Sequence, residues 1–314
     1  MIIHEGLENF KPVKNAITTS GTFDGVHLGH QKIIKKLNES KRAENGQSVL
    51  ITFWPHPKHV LFPEQKNLKI LSTFEEKSAI LDQLGVDHLI KVNFTKAFSQ
   101  ISSETFIKDI LKQKIGTQTL IIGYDHRFGR NREGSFEHLK SNSNQYGFKV
   151  VEIPAKDVNS ISVSSTKIRN ALATGEVVLA NKYLGRLYSL TGTVVNGNKL
   201  GQKIGFPTAN ISIKEPHKLI PADGIYAVRV SYQNNSYEGM LSIGVRPTIG
   251  FSERTIEVNI FDFDQTIYGE DLSLHFVEKF RDEVKFDNLE ALKQQLKADW
   301  RTAKQILSKQ TFPV

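Results

Sequence analysis

The run Gly21-Thr22-Phe23-Asp24-Gly25-Val26-His27-Leu28-Gly29-His30 constrains its surroundings more than any other stretch of the chain. It follows a strand-like segment, Ala16-Ile17-Thr18-Thr19-Ser20, and precedes a helical pattern with apolar Ile33, Ile34 and Leu37. Two imidazoles three apart at a helix start share one face. Gly29 between them carries no side chain, so a bulky ligand can approach the backbone closely. The free N–H groups and the positive dipole end of a helix N-terminus suit phosphate. Strand, glycine turn and helix in that order read as a nucleoside triphosphate site in an α/β sheet. The plainer alternative is a glycine-rich turn with surface histidines.

The rest of the first half keeps this alternation. Strands are predicted over Ser48–Phe53, His88–Val92, Thr119–Gly123 and Phe148–Ile153. Helices are predicted over Gln31–Arg42, Thr73–Leu84, Ser102–Gln113 and Phe136–Tyr146, then Ser165–Ala173 and Glu176–Tyr183. Alternating strands and helices imply a parallel sheet covered on both faces. Ligands of such sheets bind at the carboxyl ends of the strands, where Gly21–His30 and Gly123–Gly129 both fall. Past Leu184-Gly185-Arg186 the period changes to two, over Tyr188–Val195, Ile225–Tyr232, Tyr237–Ile243, Thr255–Phe261 and Leu272–Val277. Asn234-Asn235 is the expected hairpin turn. Short antiparallel strands with glycine turns predict a small barrel. A last helix follows, with Asp287 as N-cap, Glu290 three later, and a stripe of Leu289, Leu292, Leu296, Trp300, Ile306 and Leu307 to dock on the barrel. The expected domains are therefore 1–184, α/β, and 185–314, an antiparallel β-barrel with a C-terminal helix.

With 314 residues the chain is long enough for two unstapled cores. It has no cysteine, which excludes disulfides, thiolate metal sites and cysteine nucleophiles. No leader-like start and no apolar run near the ~20 residues of a membrane span are present. A cytoplasmic protein without a membrane partner is expected. The net charge is +8. Up to Lys182 there are 25 basic and 18 acidic residues, and after it 16 and 15. A basic first half suits anionic ligands. A nucleic-acid-binding regulatory module is the competing reading, but no basic block with interleaved aromatics occurs, and no nucleic-acid partner is expected.

Three further constellations can carry chemistry. Ser164, Ser165 and Thr166 open a helix, and Arg169 projects from the same turn, a set able to clamp a triphosphate. Thr52-Phe53-Trp54-Pro55-His56-Pro57 and Gly123-Tyr124-Asp125-His126-Arg127-Phe128-Gly129 both follow strands, so they can line the same crevice. In the second half Gly192, Gly197, Gly201 and Gly205 lead into Phe206-Pro207-Thr208-Ala209-Asn210. Spaced glycines let a loop wrap phosphates. Thr208 and Asn210 offer two hard oxygens on one side, a set suited to Mg²⁺. Glu257 stands on the polar face of a strand whose other face carries Ile256, Val258 and Ile260. It is either a solvated strand residue or a general base for phosphoryl transfer.

Together these residues resemble the bacterial bifunctional riboflavin kinase/FAD synthetase family, and the resemblance runs from Gly21 to the final helix. A lone His-x-Gly-His is shared by many nucleotidylyltransferases, and the downstream Gly-Phe-Pro-Thr-Ala-Asn block narrows the match. The resemblance implies a Rossmann-like nucleotidylyltransferase domain followed by a six-stranded barrel. The barrel half would phosphorylate riboflavin with ATP, and the first half would adenylylate FMN to FAD and release pyrophosphate. It implies ATP contacts from Gly21, Phe23, Asp24, His27, Gly29, His30 and Asp125. Ser164, Ser165, Thr166 and Arg169 would hold the β- and γ-phosphates. Pro55, His56 and Pro57 would meet the flavin. In the kinase half Gly192, Gly197, Gly201, Gly205 and Pro207 would meet ATP, and Thr208 and Asn210 would hold Mg²⁺. Glu257 would deprotonate the ribityl hydroxyl, with Arg281 and the segment to Phe286 covering the flavin. Relatives usually carry phenylalanine at Tyr124 and His126, and often asparagine at Ser242. A nucleotidylyltransferase for another phosphate ester is the nearest alternative.

Overall fold

Six parallel strands form the first sheet: β1 (Ile2–Glu5), β2 (Ala16–Ser20), β3 (Gln47–Trp54), β4 (His88–Asn93), β5 (Thr117–Gly123) and β6 (Lys149–Ile153). Their order is β1-β4-β3-β2-β5-β6. This is a computed structural model, and it describes residues 1–64, 68–123, 128–130, 133–134, 139–140, 143–153, 163–197, 200–248 and 251–309. Side-chain alternation along the strands feeds two cores. Leu50 and Leu89 pack with Ile34 of α1 (Leu28–Ala43) and with Phe74 and Leu81 of α3 (Phe74–Gln83). Val49, Ile51, Ile90, Leu120 and Ile122 pack with Phe106, Ile107 and Leu111. Chain order reverses at β2, whose neighbours are β3 and β5, so the loop leaving β2 opens at the switch point where ligands of such sheets bind.

Two local expectations need correction in this unit, and a third is covered only in part. The edge strand β1 is absent from the sequence-based prediction; it is four residues long and largely exposed. The helix predicted over Ser102–Gln113 is a π-helix from Phe106 to Ile115, ended by Gly116 in the left-handed region (φ 73°). Of the helix predicted over Phe136–Tyr146 the described residues, 139–140 and Ser143–Tyr146, are helical as expected, and 135–138 and 141–142 lie outside the described residues.

The barrel closes in the order β10-β11-β8-β7-β12-β9, with every pairing antiparallel. Its strands are β7 (Tyr188–Val195), β8 (Ala209–Ser212), β9 (Gly224–Tyr232), β10 (Asn235–Thr248), β11 (Phe251–Ile260) and β12 (Asp271–Arg281). Strand β8 is absent from the predicted strands; it begins where the glycine-led segment ends, at Ala209-Asn210. The β9–β10 turn is Gln233-Asn234 (φ 47° and 66°), not Asn234-Asn235, since Asn235 already pairs with Tyr232. Two positive φ values in a two-residue loop match the twist of the flanking strands.

The C-terminal helix spans Leu289–Lys309 and is capped by Asn288 rather than Asp287, since Asn288 Oδ1 accepts from Ala291 N at 2.9 Å. Ala303 and Leu307, with half-buried Leu296 and Ile306, pack on Ala227, Met240, Phe261 and Val277 of the barrel unit. Leu289 and Trp300 of the expected stripe stay exposed. By packing, the chain divides into Met1–Ser165 and Thr166–Val314, so the helices Ser165–Ala173 and Val177–Leu184 fall almost wholly with the barrel. Asn181 shows why: its Nδ2 donates to Phe276 O (2.8 Å) and its Oδ1 accepts from Tyr188 N (2.7 Å). The period change at Leu184 therefore marks where the first barrel strand begins, while the packing boundary comes earlier. Among the described residues no helix is long and apolar enough to cross a membrane.

Candidate active sites

The loop after β2 holds an unusual backbone. Phe23, Gly25 and Val26 all have positive φ (46°, 78° and 38°), and for a β-branched valine this is a strained conformation that surrounding contacts must hold in place. Those contacts are visible. Asp24, 3% exposed, accepts from Leu71 N (2.8 Å) and Ser72 N (3.3 Å) through Oδ1. Gly25 N donates to Ser72 Oγ (3.1 Å), and Ser165 Oγ donates to Asp24 O (3.1 Å). Asp24 is thus a fastener of the loop. The twist delivers His27 to the N-cap of α1, where its Nδ1 accepts from His30 N at 3.4 Å, which places the proton of the neutral ring on Nε2.

The two imidazoles stack, with centroids 3.7 Å apart and planes inclined by 15°, and the Phe23 ring lies 4.9 Å from His30. Burial, then the charges of His27 and Lys77, hold His30 well below the usual imidazole range. Its Nδ1 is buried and has no hydrogen-bond partner among the described residues. The arrangement is two stacked imidazoles at a helix N-terminus, with His30 held neutral, suited to meet negative charge.

Lys77 was not singled out from the sequence. Its side chain is 3% exposed, and Nζ donates to Thr22 O (2.7 Å) and Thr52 Oγ1 (3.2 Å). Burial pushes its amine down to about 8, against the pull of Asp24. In the sequence it follows Glu75-Glu76 and looks like the solvated start of a helix, so only the tertiary structure shows it.

The barrel gathers a second set. Glu257 on β11 is the cross-strand partner of both Asn210 on β8 and Ser242 on β10. Thr208 Oγ1 donates to Glu257 Oε2 at 3.2 Å, and Asn259 Nδ2 holds Pro207 O at 2.6 Å. Two of the glycines are dictated by this cluster. A Cβ at Gly197 would stand 2.1 Å from Asn210 Nδ2, and one at Gly201 would stand 2.2 Å from Phe206 O. Gly205 follows with φ 83°. Gly192 lies inside β7, within the strand expected over Tyr188–Val195 and apart from the glycine loop, and a Cβ there would meet Ile211 and Ser212 O. Ser242 Oγ donates to Glu283 Oε1 at 2.9 Å.

Residues 10–167 match the family model for FAD synthetase and residues 184–307 the one for riboflavin kinase. The chain belongs to the bifunctional riboflavin kinase/FMN adenylyltransferase family. Relatives of that description include one from Buchnera aphidicola subsp. Schizaphis graminum, 39% identical over 95% of this chain and 96% of its own. Another, from Listeria monocytogenes, is 37% identical over 94% and 93%. One from Escherichia coli K12 is 33% identical over 97% of each chain. A solved Streptococcus pneumoniae structure, described as a macrolide-efflux protein, shares the fold with a TM-score of 0.87 and 32% identity, over 96% of this chain and 98% of that one.

As a riboflavin kinase/FMN adenylyltransferase, the chain carries an FAD synthetase half followed by a riboflavin kinase half, in the order read from its sequence. Other expected site residues have the following places. Pro55 is exposed, while His56 caps the short helix α2 (Pro57–Leu61), its Nδ1 accepting from Lys58 N at 3.2 Å. Ser164 and Ser165 end the first unit, and Thr166 and Arg169 belong to the second. Arg281 is committed: Nε and Nη2 hold Asp299 at 2.8 and 2.5 Å, and Nη1 donates to Asp282 O at 2.8 Å. Its guanidinium therefore anchors the chain that leads to half-buried Phe286. Tyr124, Asp125 and His126 lie outside the described residues.

Proposed function

We propose that this chain performs both reactions of its family, with the two clusters dividing the work. The observation that carries this reading is the meeting of Glu257, Thr208 and Asn210 on adjoining strands, a kinase-type set on a chain that also holds the stacked His27–His30 pair. In the barrel half, the Glu257 carboxylate takes the proton of the ribityl hydroxyl as its oxygen attacks the γ-phosphorus of ATP; FMN and ADP leave. The loop of Gly197, Gly201, Gly205 and Pro207 lies against the phosphates. Thr208 and Asn210 present two neutral oxygens beside a carboxylate, a donor set that suits Mg²⁺ shared with ATP phosphates, which would spread the charge of the transferred group.

In the first half, a phosphate oxygen of FMN attacks the α-phosphorus of a second ATP. The bond to pyrophosphate breaks, and FAD forms. His27 and His30 donate N–H groups to the charge that grows on the leaving pyrophosphate. Ser164, Ser165, Thr166 and Arg169 hold its β- and γ-phosphates. Gly21, Phe23 and Gly29 shape the floor, and Asp24 fixes it. Pro55, His56 and Pro57 meet the flavin of FMN; Phe286 meets that of riboflavin, on the segment that Arg281 anchors. By function the division falls at 1–184 and 185–314, and both reactions are placed in the cytoplasm, with ATP, riboflavin and FMN as small-molecule partners.

The test is direct: incubate the protein with riboflavin and Mg-ATP and separate the flavins over time. FMN should rise first and FAD follow. Recovery of unchanged riboflavin overturns the kinase assignment, and FMN that never becomes FAD overturns the adenylyl one.

A further inference from the structure

We propose that Lys77 is a positioning residue for adenylyl transfer: its ammonium pins the Thr22 carbonyl and so sets the loop that carries Phe23 against His30. The inference rests on the adenylyl reading of Gly21–His30 and deepens it. A buried lysine is costly unless its N–H groups find acceptors. Lys77 finds two, the Thr22 carbonyl at 2.7 Å and Thr52 Oγ1 at 3.2 Å. The Thr52 hydroxyl in turn donates to the same Thr22 carbonyl at 3.2 Å. A triangle of bonds thus closes on one backbone oxygen, immediately before the first left-handed residue of the loop, Phe23.

Thr22 is where the chain leaves the rigid end of β2 and enters the strained turn. Asp24 fastens the other side of that turn to Leu71 and Ser72, just ahead of α3. The N-terminal end of α3 therefore grips the loop twice, through Lys77 and through the backbone that receives Asp24. The capping box at Thr73 and Glu76 (3.2 and 3.0 Å) fixes that end of α3 in its turn. The groups that face Lys77 are Asp24 from the loop, His30 from α1, and Thr52 and Trp54 from β3, the Trp54 ring lying 5.7 Å from Nζ. Of these, Asp24 and His30 titrate. The positive charge of Lys77 works against protonation of His30, as does His27 stacked on it. One side chain thus fixes where the loop lies and adds, after burial and His27, to what keeps its histidine unprotonated.

A purely structural tie would share the geometry but not the electrostatics, and the experiment separates them. Lys77→Met and Lys77→Arg are compared with the full-length wild type for FAD formation from FMN, across pH, with riboflavin phosphorylation in the same samples as control. For Lys77→Met, kcat for FAD formation should fall on the order of 10- to 100-fold, as for misplacement of a reacting group. The KM values should move little. The acid limb of kcat should shift to higher pH, because loss of a neighbouring cation makes His30 easier to protonate. Lys77→Arg should keep the wild-type limb. An unchanged kcat overturns the proposal, and so does a reduced kcat with an unmoved limb, which would leave Lys77 a structural tie. Should Lys77→Met not fold, Thr52→Val carries the test: it removes one corner of the triangle and keeps the cation. A several-fold loss of FAD formation with an unmoved limb is then expected, and no loss overturns the proposal. Wild-type protein that makes no FAD would instead refute the adenylyl reading itself.

Discussion

His27 and His30 stand ring on ring, centroids 3.7 Å apart, at the first turn of α1. Burial penalises a charged ring there and the charges of His27 and Lys77 add to the penalty, so His30 is held well below its ordinary value. A neutral ring still offers one N–H, which is what a developing pyrophosphate needs. His30→Ala should lower FAD formation on the order of 10²- to 10³-fold, the usual loss when a donor to developing charge is removed. Riboflavin phosphorylation should persist, so FMN accumulates. The wild-type rate of FAD formation should stay level on the acid side through the usual histidine range. A fall in rate centred on about pH 6.5, the unperturbed imidazole value, would contradict a neutral His30.

The mirror experiment concerns Glu257. Its cross-strand neighbours Asn210 and Ser242 fix it on a barrel strand, and Thr208 reaches its carboxylate. Glu257→Gln keeps the shape and removes the base. FMN formation should drop on the order of 10²- to 10⁴-fold, the range of general base catalysis. Conversion of supplied FMN to FAD should continue. Chromatographic flavin assays with riboflavin and with FMN as separate substrates give both numbers from one preparation.

The Arg281–Asp299 pair gives a stability prediction. Asp299 is 2% exposed and accepts from Nε and Nη2 of Arg281, with Gln295 Nε2 adding a third bond at 2.9 Å. It joins the last barrel strand to the C-terminal helix. Removing one partner leaves the other charge buried and unpaired, a loss of about 3–5 kcal/mol. Arg281→Ala should therefore lower the unfolding temperature of the barrel unit, and kinase activity should disappear at a lower temperature than adenylyl transfer. Equal loss of both activities would place the damage elsewhere.

How much of this was legible beforehand depends on the kind of signal. Alternating strands and helices, then period-two strands, follow from local patterning, and both halves fold as that patterning implies. Strand β1 has only four residues and an exposed face, too little pattern to see. Strand β8 was hidden because it is four residues long and its first half, Ala209-Asn210, ends the segment read for its phosphate chemistry. Glu257, Thr208 and Asn210 were readable as residue types, while their meeting depends on the β11–β8 register, which is a long-range pairing. Lys77 and Arg281 show the limit most plainly. A lysine after two glutamates reads as surface, and an arginine near a ligand segment reads as a ligand contact. Only packing reveals that the first is buried under a loop and the second is spent on Asp299.

Lys77 also makes the stability of the first unit depend on alkaline pH with a defined sign. Its folded value is about 8 against 10.5 when unfolded. Below pH 8 the amine is charged in both states, and the folded state bears the full cost of burying the cation. Between 8 and 10.5 the unfolded chain keeps a proton that the folded chain has lost, so folding is favoured progressively as pH rises. Above 10.5 the penalty is gone. A shift of this size corresponds to about 3 kcal/mol. Other lysines and tyrosines titrate in the same range, so the readout is a difference between two proteins. Urea unfolding of wild type and Lys77→Met at pH 7, 8, 9 and 10 should show wild type gaining on the variant by up to about 3 kcal/mol as pH rises. If the two stabilities run parallel, the amine titrates at its ordinary value and Lys77 is not the buried cation that the geometry describes.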